Sequence, residues 1–221
     1  MATADTALVR PPQGAGISKA ISLASRWVRL IAGLGLFAGG LALMVRAGLG
    51  LSPWDVLHDG LRGLTPLSFG QVVVAVSLVV LGFGWMLGVR PGAGTVANSV
   101  LVGVFADALL QTGLLSELDS GAAPLRIGAT LTGVAAIALG SAVYIGANLG
   151  AGPRDGLMLG MGRVLHRSPG TARALIEAVV FVVGVALGGS IGWGTLAYLL
   201  AIGPAIDLAF RLVRPVTGSA G

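Results

Sequence analysis

The sequence predicts an all-α membrane protein of about six transmembrane helices, arranged as two inverted three-helix repeats with a short re-entrant or interfacial helix in each. Its composition is the first evidence: 55% of the residues are hydrophobic and 10% are charged, whereas a soluble domain carries roughly 25% charged residues. Such a chain cannot cover its surface with polar groups, so the lipid bilayer is its expected solvent and partner. Apolar stretches of membrane-spanning length and an internal duplication complete the argument.

The apolar stretches have the length of about 20 residues that a helix needs to cross a bilayer. They occupy residues 28–46, 70–89, 94–115, 127–147, 171–190 and 193–213. No soluble domain is predicted outside them. The expected organisation is an N-terminal tail (1–25), a first repeat (26–115), a second repeat (126–213) and a C-terminal tail (214–221).

The second half of the chain repeats the first half without a gap. Residues 26–110 and 126–210 are identical at 25 of 85 positions. Matches of Pro, Asp and Ser carry more weight than matches of the abundant Gly, Ala and Val. Because each half holds three spans, an odd number, the second half must enter the membrane upside down. Inverted repeats of this kind are typical of membrane transporters.

Basic residues predict the orientation. With six spans and a cytoplasmic N-terminus, eleven Lys and Arg residues fall in the inside segments and three fall outside. This asymmetry follows the positive-inside rule. We therefore expect both termini in the cytoplasm, the 48–69 connection outside and the 148–169 connection inside.

These two connections each predict a short helix that begins at a proline, a residue suited to the first helical turn. The first, at 53–64, has one apolar and one charged face, and can lie at the membrane interface. The second, at 153–166, is more apolar, which favours burial in protein or re-entry into the membrane. Both interpretations remain open for both segments.

Charged residues within the apolar segments are the candidate substrate- or ion-binding residues, because a charge in hydrocarbon is costly and usually faces a cavity. Their depth predicts two acidic clusters, one in each leaflet: Asp55 with Asp107, and Asp155 with Asp207. Each Asp can instead bind a neighbouring helix end. The candidates are Asp55, Asp107, Arg154, Asp155, Arg173, Glu177 and Asp207.

The second repeat is the richer of the two in charge. Arg173 and Glu177 are one helical turn apart, which favours an ion pair, and Arg154 is a second cation for the carboxylates near them. We expect these groups to form one network with Asp155 and Asp207. The first repeat has Trp54 and Ser77 at the matching positions, so its own cluster should be poorer in charge.

A Gly-x-Gly-Thr motif begins the third span of each half. A Thr at a helix start, beside glycines, can present free N–H groups to an anion. A tight hairpin between packed spans is the alternative. The candidate anion-site residues are Gly94, Thr95, Gly194 and Thr195.

Four motifs of the second half resemble the YczE/YitT-type family of bacterial integral membrane proteins. They are the run from Gly146 to Met158, the Arg173-x-x-x-Glu177 pair, the glycine-rich run from Leu187 to Thr195 and Ile202-Gly203-Pro204. The resemblance covers residues 29–213. It implies a multispan protein of the bacterial cytoplasmic membrane and no particular substrate.

Several functional classes lack the residues they need. The chain has no cysteine, which excludes disulfides and thiolate metal sites. It also lacks the phosphate-binding Gly-x-x-x-x-Gly-Lys motif. A net charge of +5 spread between apolar spans does not favour nucleic-acid binding. We expect neither catalysis nor a metal or cofactor.

The sequence therefore predicts a transporter or permease-like protein for a small solute, with a coupling ion. A membrane scaffold or regulatory protein with the same fold is the alternative, and an enzyme that acts on a lipid is a third. A homo-oligomer stays open.

Overall fold

A computed structural model describes residues 14–150 and 152–213, and the side chains of this part except those of residues 14–22 and Pro169. These residues form helices without any strand, so the predicted all-α class is confirmed for them. A single 3-10 turn at Ser116–Leu118 joins the fourth and fifth helices. The α-helices are α1 (Gly14–Ala47), α2 (Pro53–Leu64), α3 (Phe69–Met86), α4 (Ala93–Gln111), α5 (Ala123–Ile145), α6 (Pro153–Val164), α7 (Pro169–Ala186) and α8 (Trp193–Leu212).

Five helices in this part of the chain are long and apolar enough to cross a membrane. They are the Leu23–Ala47 portion of α1 together with α3, α4, α5 and α8. The sixth predicted span corresponds to α7, an 18-residue helix that is not among the five. Helix α1 begins at Gly14, inside the predicted N-terminal tail. The rest of that tail and residues 214–221 lie outside the described residues.

The short helices predicted after Pro53 and Pro153 are α2 and α6, each of 12 residues with its proline in the first turn. Helix α2 packs against α7, and α6 packs against α3. The first turns of α2 are buried, with Trp54 4% and His58 0% exposed. Packing inside the protein therefore describes α2 better than a helix that lies on the surface.

Helices α1 and α5 form the centre of the fold, and glycines let their backbones touch. A Cβ atom built on Gly40 would lie 2.5 Å from the Gly133 carbonyl oxygen, and one on Gly140 would lie 2.8 Å from the Gly33 carbonyl oxygen. Both distances are too short for any side chain. Small residues at such crossings give close packing between membrane helices.

Contacts between the halves recur with the halves exchanged. The Gly94 N–H donates to the Leu149 carbonyl oxygen (2.8 Å), and the Gly194 N–H donates to the Leu49 carbonyl oxygen (2.6 Å). The α2–α7 contact is matched in the same way by the α3–α6 contact. Each half thus completes the other at corresponding positions.

The α3–α4 contact has no counterpart of similar extent. Helix α3 packs along α4 in the first half, whereas α7 and α8 of the second half barely contact each other. A cavity lies beside this gap and includes residues of both helices in its wall.

Candidate functional site

The cavity lies where the two halves meet and has a volume of about 180 Å³. Ten of its lining residues form five pairs whose members are one hundred positions apart in the chain. A single site therefore contains corresponding residues of both repeats. These pairs are Phe37/Ile137, Trp54/Arg154, Val73/Arg173, Ser77/Glu177 and Asn98/Tyr198.

The two repeats give the cavity different chemistry. The second repeat contributes the ionisable side chains, which include those of Arg154, Asp155, Arg173 and Glu177. At the positions that match Arg154, Arg173 and Glu177, the first repeat has Trp, Val and Ser. The first repeat is indeed poorer in charge here, but the prediction that it forms a cluster of its own is wrong. Its Trp54 and Ser77 line the same cavity as the charged residues of the second repeat.

Arg154 connects the two halves. Its guanidinium carbon lies 4.9 Å from the centre of the Trp54 ring, and its Nη2 lies 3.9 Å from Asp55 Oδ1. Stacking on an aromatic face suits the planar guanidinium. The neighbouring Asp155 supports the start of α6, since its Oδ2 accepts a hydrogen bond from the Gly152 N–H (3.2 Å).

Behind Arg154, the start of α2 holds a buried polar cluster. Asp55 Oδ1 lies 3.2 Å from His58 Nδ1, and the Ser52 hydroxyl donates to Asp55 Oδ2. His58 is completely buried, and its Nε2 has no hydrogen-bond partner among the described residues. His58 is not among the site residues predicted from the sequence, although its spacing of three residues from Asp55 on a short helix is a signal for this contact.

Arg173 and Glu177 form the ion pair that their spacing on α7 favours. The distance from Arg173 Nε to Glu177 Oε1 is 2.9 Å. The two side chains are 46% and 26% exposed, and both line the cavity. Tyr144 and Tyr198 line the same cavity and were missed, because an aromatic residue in an apolar span carries no sequence signal that separates a lining role from packing.

The predicted acidic clusters are wrong. Asp55 lies beside Arg154, whereas Asp107 accepts hydrogen bonds from the start of α3: the Gly70 N–H (2.7 Å) and the Ser68 hydroxyl. Asp207 is exposed on α8 and is not part of the cavity wall that contains Asp155. The predicted network is thus correct in bringing Arg154, Asp155, Arg173 and Glu177 to one site, and wrong in including Asp207.

The helix starts predicted as anion sites are occupied by protein. The carbonyl oxygens of Leu149 and Leu49 accept from the N–H groups of Gly94 and Gly194. Thr195 Oγ1 accepts from the Leu51 N–H (3.0 Å), and Thr95 Oγ1 accepts from the Gly92 N–H (3.0 Å). Both Thr side chains are buried. Packing of the two halves, rather than an anion, satisfies these groups.

Long apolar helices around a partly charged cavity define the class: this is a polytopic α-helical membrane protein. The particular family follows from sequence comparison. Residues 24–211 match the model of a family of unknown function, DUF6198, and the chain belongs to this family. The predicted resemblance to YczE-type membrane proteins is confirmed.

Similar proteins occur in Bacillus subtilis and Haemophilus influenzae. The chain is 32% identical over 196 residues to the uncharacterized membrane protein YczE of Bacillus subtilis, covering 88% of each chain. It is 31% identical over 186 residues to an uncharacterized protein of Haemophilus influenzae, covering 83% of each. The uncharacterized protein YyaS of Bacillus subtilis is 29% identical over 169 residues, or 74% of this chain and 82% of YyaS.

No solved structure shows a significant similarity to the chain.

Proposed function

We propose that this protein is a secondary transporter or permease-like protein for a small solute in the bacterial cytoplasmic membrane, rather than an enzyme. One observation carries the proposal: a charged cavity lies where two repeats meet and is lined by corresponding residues of both. Binding sites at a repeat interface are the usual arrangement in transporters built from internal repeats.

The exchanged contacts support an inverted repeat. Gly94 contacts Leu149, and the corresponding residue Gly194 contacts Leu49. Reciprocal contacts of this kind are expected when a two-fold rotation relates the two halves. If α7 crosses the membrane as its counterpart α3 does, each half has three spans. An odd number of spans requires the rotation axis to lie in the membrane plane. The α2 and α6 helices then enter the protein from opposite sides.

The lining residues suggest the chemical class of the solute. Arg173 and Glu177 neutralise each other at 2.9 Å. Arg154, by contrast, has a 3.9 Å ionic contact with Asp55, the stacking contact with Trp54 and a longer-range attraction to Asp155. A carboxylate can pair with this guanidinium, and the nearby Asp155 suits an ammonium group. A small zwitterion such as an amino acid satisfies both within about 180 Å³.

Current recordings on proteoliposomes test the function. We expect zwitterionic amino acids added under a proton or sodium gradient to produce a current that empty liposomes lack. Glu177→Gln should abolish this current while leaving the amount of folded protein unchanged, because glutamine keeps the size of the side chain and an oxygen that can still accept a hydrogen bond from Arg173. Glu117→Gln, in an exposed turn, is the matched control and should behave as wild type. If the current from wild-type proteoliposomes does not change when amino acids are added, the proposed transport function is wrong.

Single cysteines test the orientation, since the native chain has none. Gly63 and Arg163 are exposed and correspond to each other in the two repeats. In intact cells, an impermeant maleimide should label Gly63→Cys from outside, whereas Arg163→Cys should react only after the membrane is opened. Labelling of both positions from the same side would contradict the inverted arrangement.

A further inference from the structure

In the first repeat, a group of four residues joins α3 to α4. Asp107 on α4 accepts hydrogen bonds from the Ser68 hydroxyl and from the Gly70 N–H, the latter at 2.7 Å. Gly70 and Gly103 bring the two backbones into direct contact, because a Cβ atom on either would overlap the carbonyl oxygen of the other. We call Ser68, Gly70, Gly103 and Asp107 the first latch. It is closed.

The second repeat contains the same four residue types one hundred positions later, and they are apart. A Cβ atom built on Gly203 would meet nothing within 4 Å, and one on Gly170 would approach only the Ser168 hydroxyl, at 3.9 Å. Asp207 is exposed. We call Ser168, Gly170, Gly203 and Asp207 the second latch. It is open.

We propose that the second latch is a gate: α7 swings onto α8, Asp207 accepts hydrogen bonds from the Ser168 hydroxyl and the Gly170 N–H, and the cavity closes on that side. The closed first latch shows the geometry that this set of residues can adopt. By the exchange relation between the repeats, closing the second latch accompanies opening of the first. The inference rests on the proposed transport function, which requires alternate access to the cavity.

The position of the gap supports this role. The cavity wall includes Arg173 and Glu177 from α7 and Tyr198 from α8, and these helices barely contact each other. Movement of α7 towards α8 therefore narrows the cavity itself. The ion pair on α7 would travel with the gate, which places the charges of α7 against a bound solute only when the gate closes.

The far end of α7 has the fixed contacts that a pivot needs. Asp59 on α2 accepts hydrogen bonds from the Ser190 N–H (3.0 Å) and hydroxyl (2.6 Å) just after α7. Gly184 packs directly against the backbone of Leu57. Among the described residues, the end of α7 near Ser168 has no such glycine contact. On α8, Pro204 lies inside the helix beside Gly203, and a proline allows a helix to bend at that point.

An exposed carboxylate on a membrane helix also favours closure. Asp207 in apolar surroundings is costly unless it is paired, whereas Asp107 is half-buried and has two donors. Because capping by a carboxylate stabilises a helix start, closing the second latch would stabilise both Asp207 and the first turn of α7.

Distances between paired spin labels test the gate without any solute. Arg167 and Leu212 flank the second latch, and Leu67 and Thr112 are their counterparts at the first; all four are exposed. Each pair is changed to cysteine in the full chain, labelled and measured in lipid nanodiscs by pulsed electron resonance. We expect the Arg167/Leu212 pair to show a long and a short distance, and the Leu67/Thr112 pair to show the complementary populations.

Two variants then remove the closed state in different ways. Asp207→Ala removes the acceptor, and Gly203→Val inserts a side chain that open space accommodates here but that would overlap the Gly170 carbonyl oxygen on closure. Both should abolish the short Arg167/Leu212 distance and increase the short Leu67/Thr112 population. Asp107→Ala is the matched variant of the first latch and should shift both pairs in the opposite direction.

The gate assignment is overturned if the wild type shows only the long Arg167/Leu212 distance, or if both variants keep the wild-type distribution. Either result is independent of the flux assay. A protein whose distances respond as described but which carries no solute retains the gate and loses the proposed function. A protein that carries solute with unchanged distances loses the gate alone.

Discussion

Replacing Gly40 by leucine is expected to abolish the folded protein. A Cβ atom at this position would lie 2.5 Å from the Gly133 carbonyl oxygen and 2.9 Å from the Ile137 amide nitrogen. These are backbone atoms, so no rotamer change relieves the overlap and α1 must move away from α5. Overpacking a well-packed interior already costs about 1–3 kcal/mol, and this contact lies at the centre of the fold.

The control is Gly35→Leu on the same helix. A Cβ atom at Gly35 meets nothing within 4 Å, and both substitutions add the same apolar side chain to a membrane helix. We expect the control to give a wild-type amount of monodisperse protein in size-exclusion chromatography, while Gly40→Leu gives aggregated or degraded chain. Equal yields would show that α1 and α5 do not cross at this glycine in the membrane.

Replacing Arg154 by glutamine is expected to have the largest effect on solute binding. The guanidinium stacks on Trp54 at 4.9 Å and approaches Asp55 at 3.9 Å, where it can reach a solute carboxylate. A hydrogen bond to a charged group contributes about 1.5–3 kcal/mol, and each 1.4 kcal/mol is tenfold in affinity. The concentration of amino acid that gives half-maximal current should therefore rise by roughly 10–100-fold.

Arg163→Gln is the matched control for this change. Arg163 lies on α6, the same helix as Arg154, but it is exposed and is not part of the cavity wall. Its replacement removes one positive charge, as Arg154→Gln does, and from the same helix. An equal loss of affinity in both variants would mean that net charge, and not the cavity guanidinium, determines binding.

The fold class and the short helices were predictable because their signals are local. A proline followed by a helix-compatible segment identified α2 and α6, and a spacing of four residues identified the Arg173–Glu177 pair. The number of spans was predicted from the length and hydrophobicity of apolar stretches. Five of the six predicted spans correspond to helices that are long and apolar enough to cross a membrane. The sixth span corresponds to α7, which contains that ion pair, so charged and apolar residues share this helix.

The site was only partly predictable because its key contacts join the two halves. Position along a span gives the depth of Asp107 or Asp207 but not the direction in which the side chain points, and direction decides the partner. Asp107 faces α3 and Asp207 faces open space, although both occupy the same position in their repeats. The contact between Trp54 and Arg154 was likewise hidden, since the sequence assigned these residues to opposite leaflets.

The Gly-x-Gly-Thr motifs also have partners in the other half of the chain that could not be predicted from the sequence. Their residues do satisfy the start of a helix, as a capping motif should, but the acceptor for each glycine N–H is a carbonyl oxygen of the other repeat. The sequence alone identifies a helix-start N–H group that needs an acceptor more readily than it identifies the acceptor. Here the partner was a backbone atom, which leaves no trace in residue type.

This crosswise completion affects how the protein is made. Helix α4 emerges from the ribosome well before Leu149, whose carbonyl oxygen accepts from the Gly94 N–H, and α8 later depends on Leu49 in the same manner. The newly inserted first half therefore lacks the native acceptor of this N–H group until the second half has been made. We therefore expect the first repeat to complete its native contacts only when the second one arrives, so a chain that stops after the first repeat should be a substrate for membrane proteolysis.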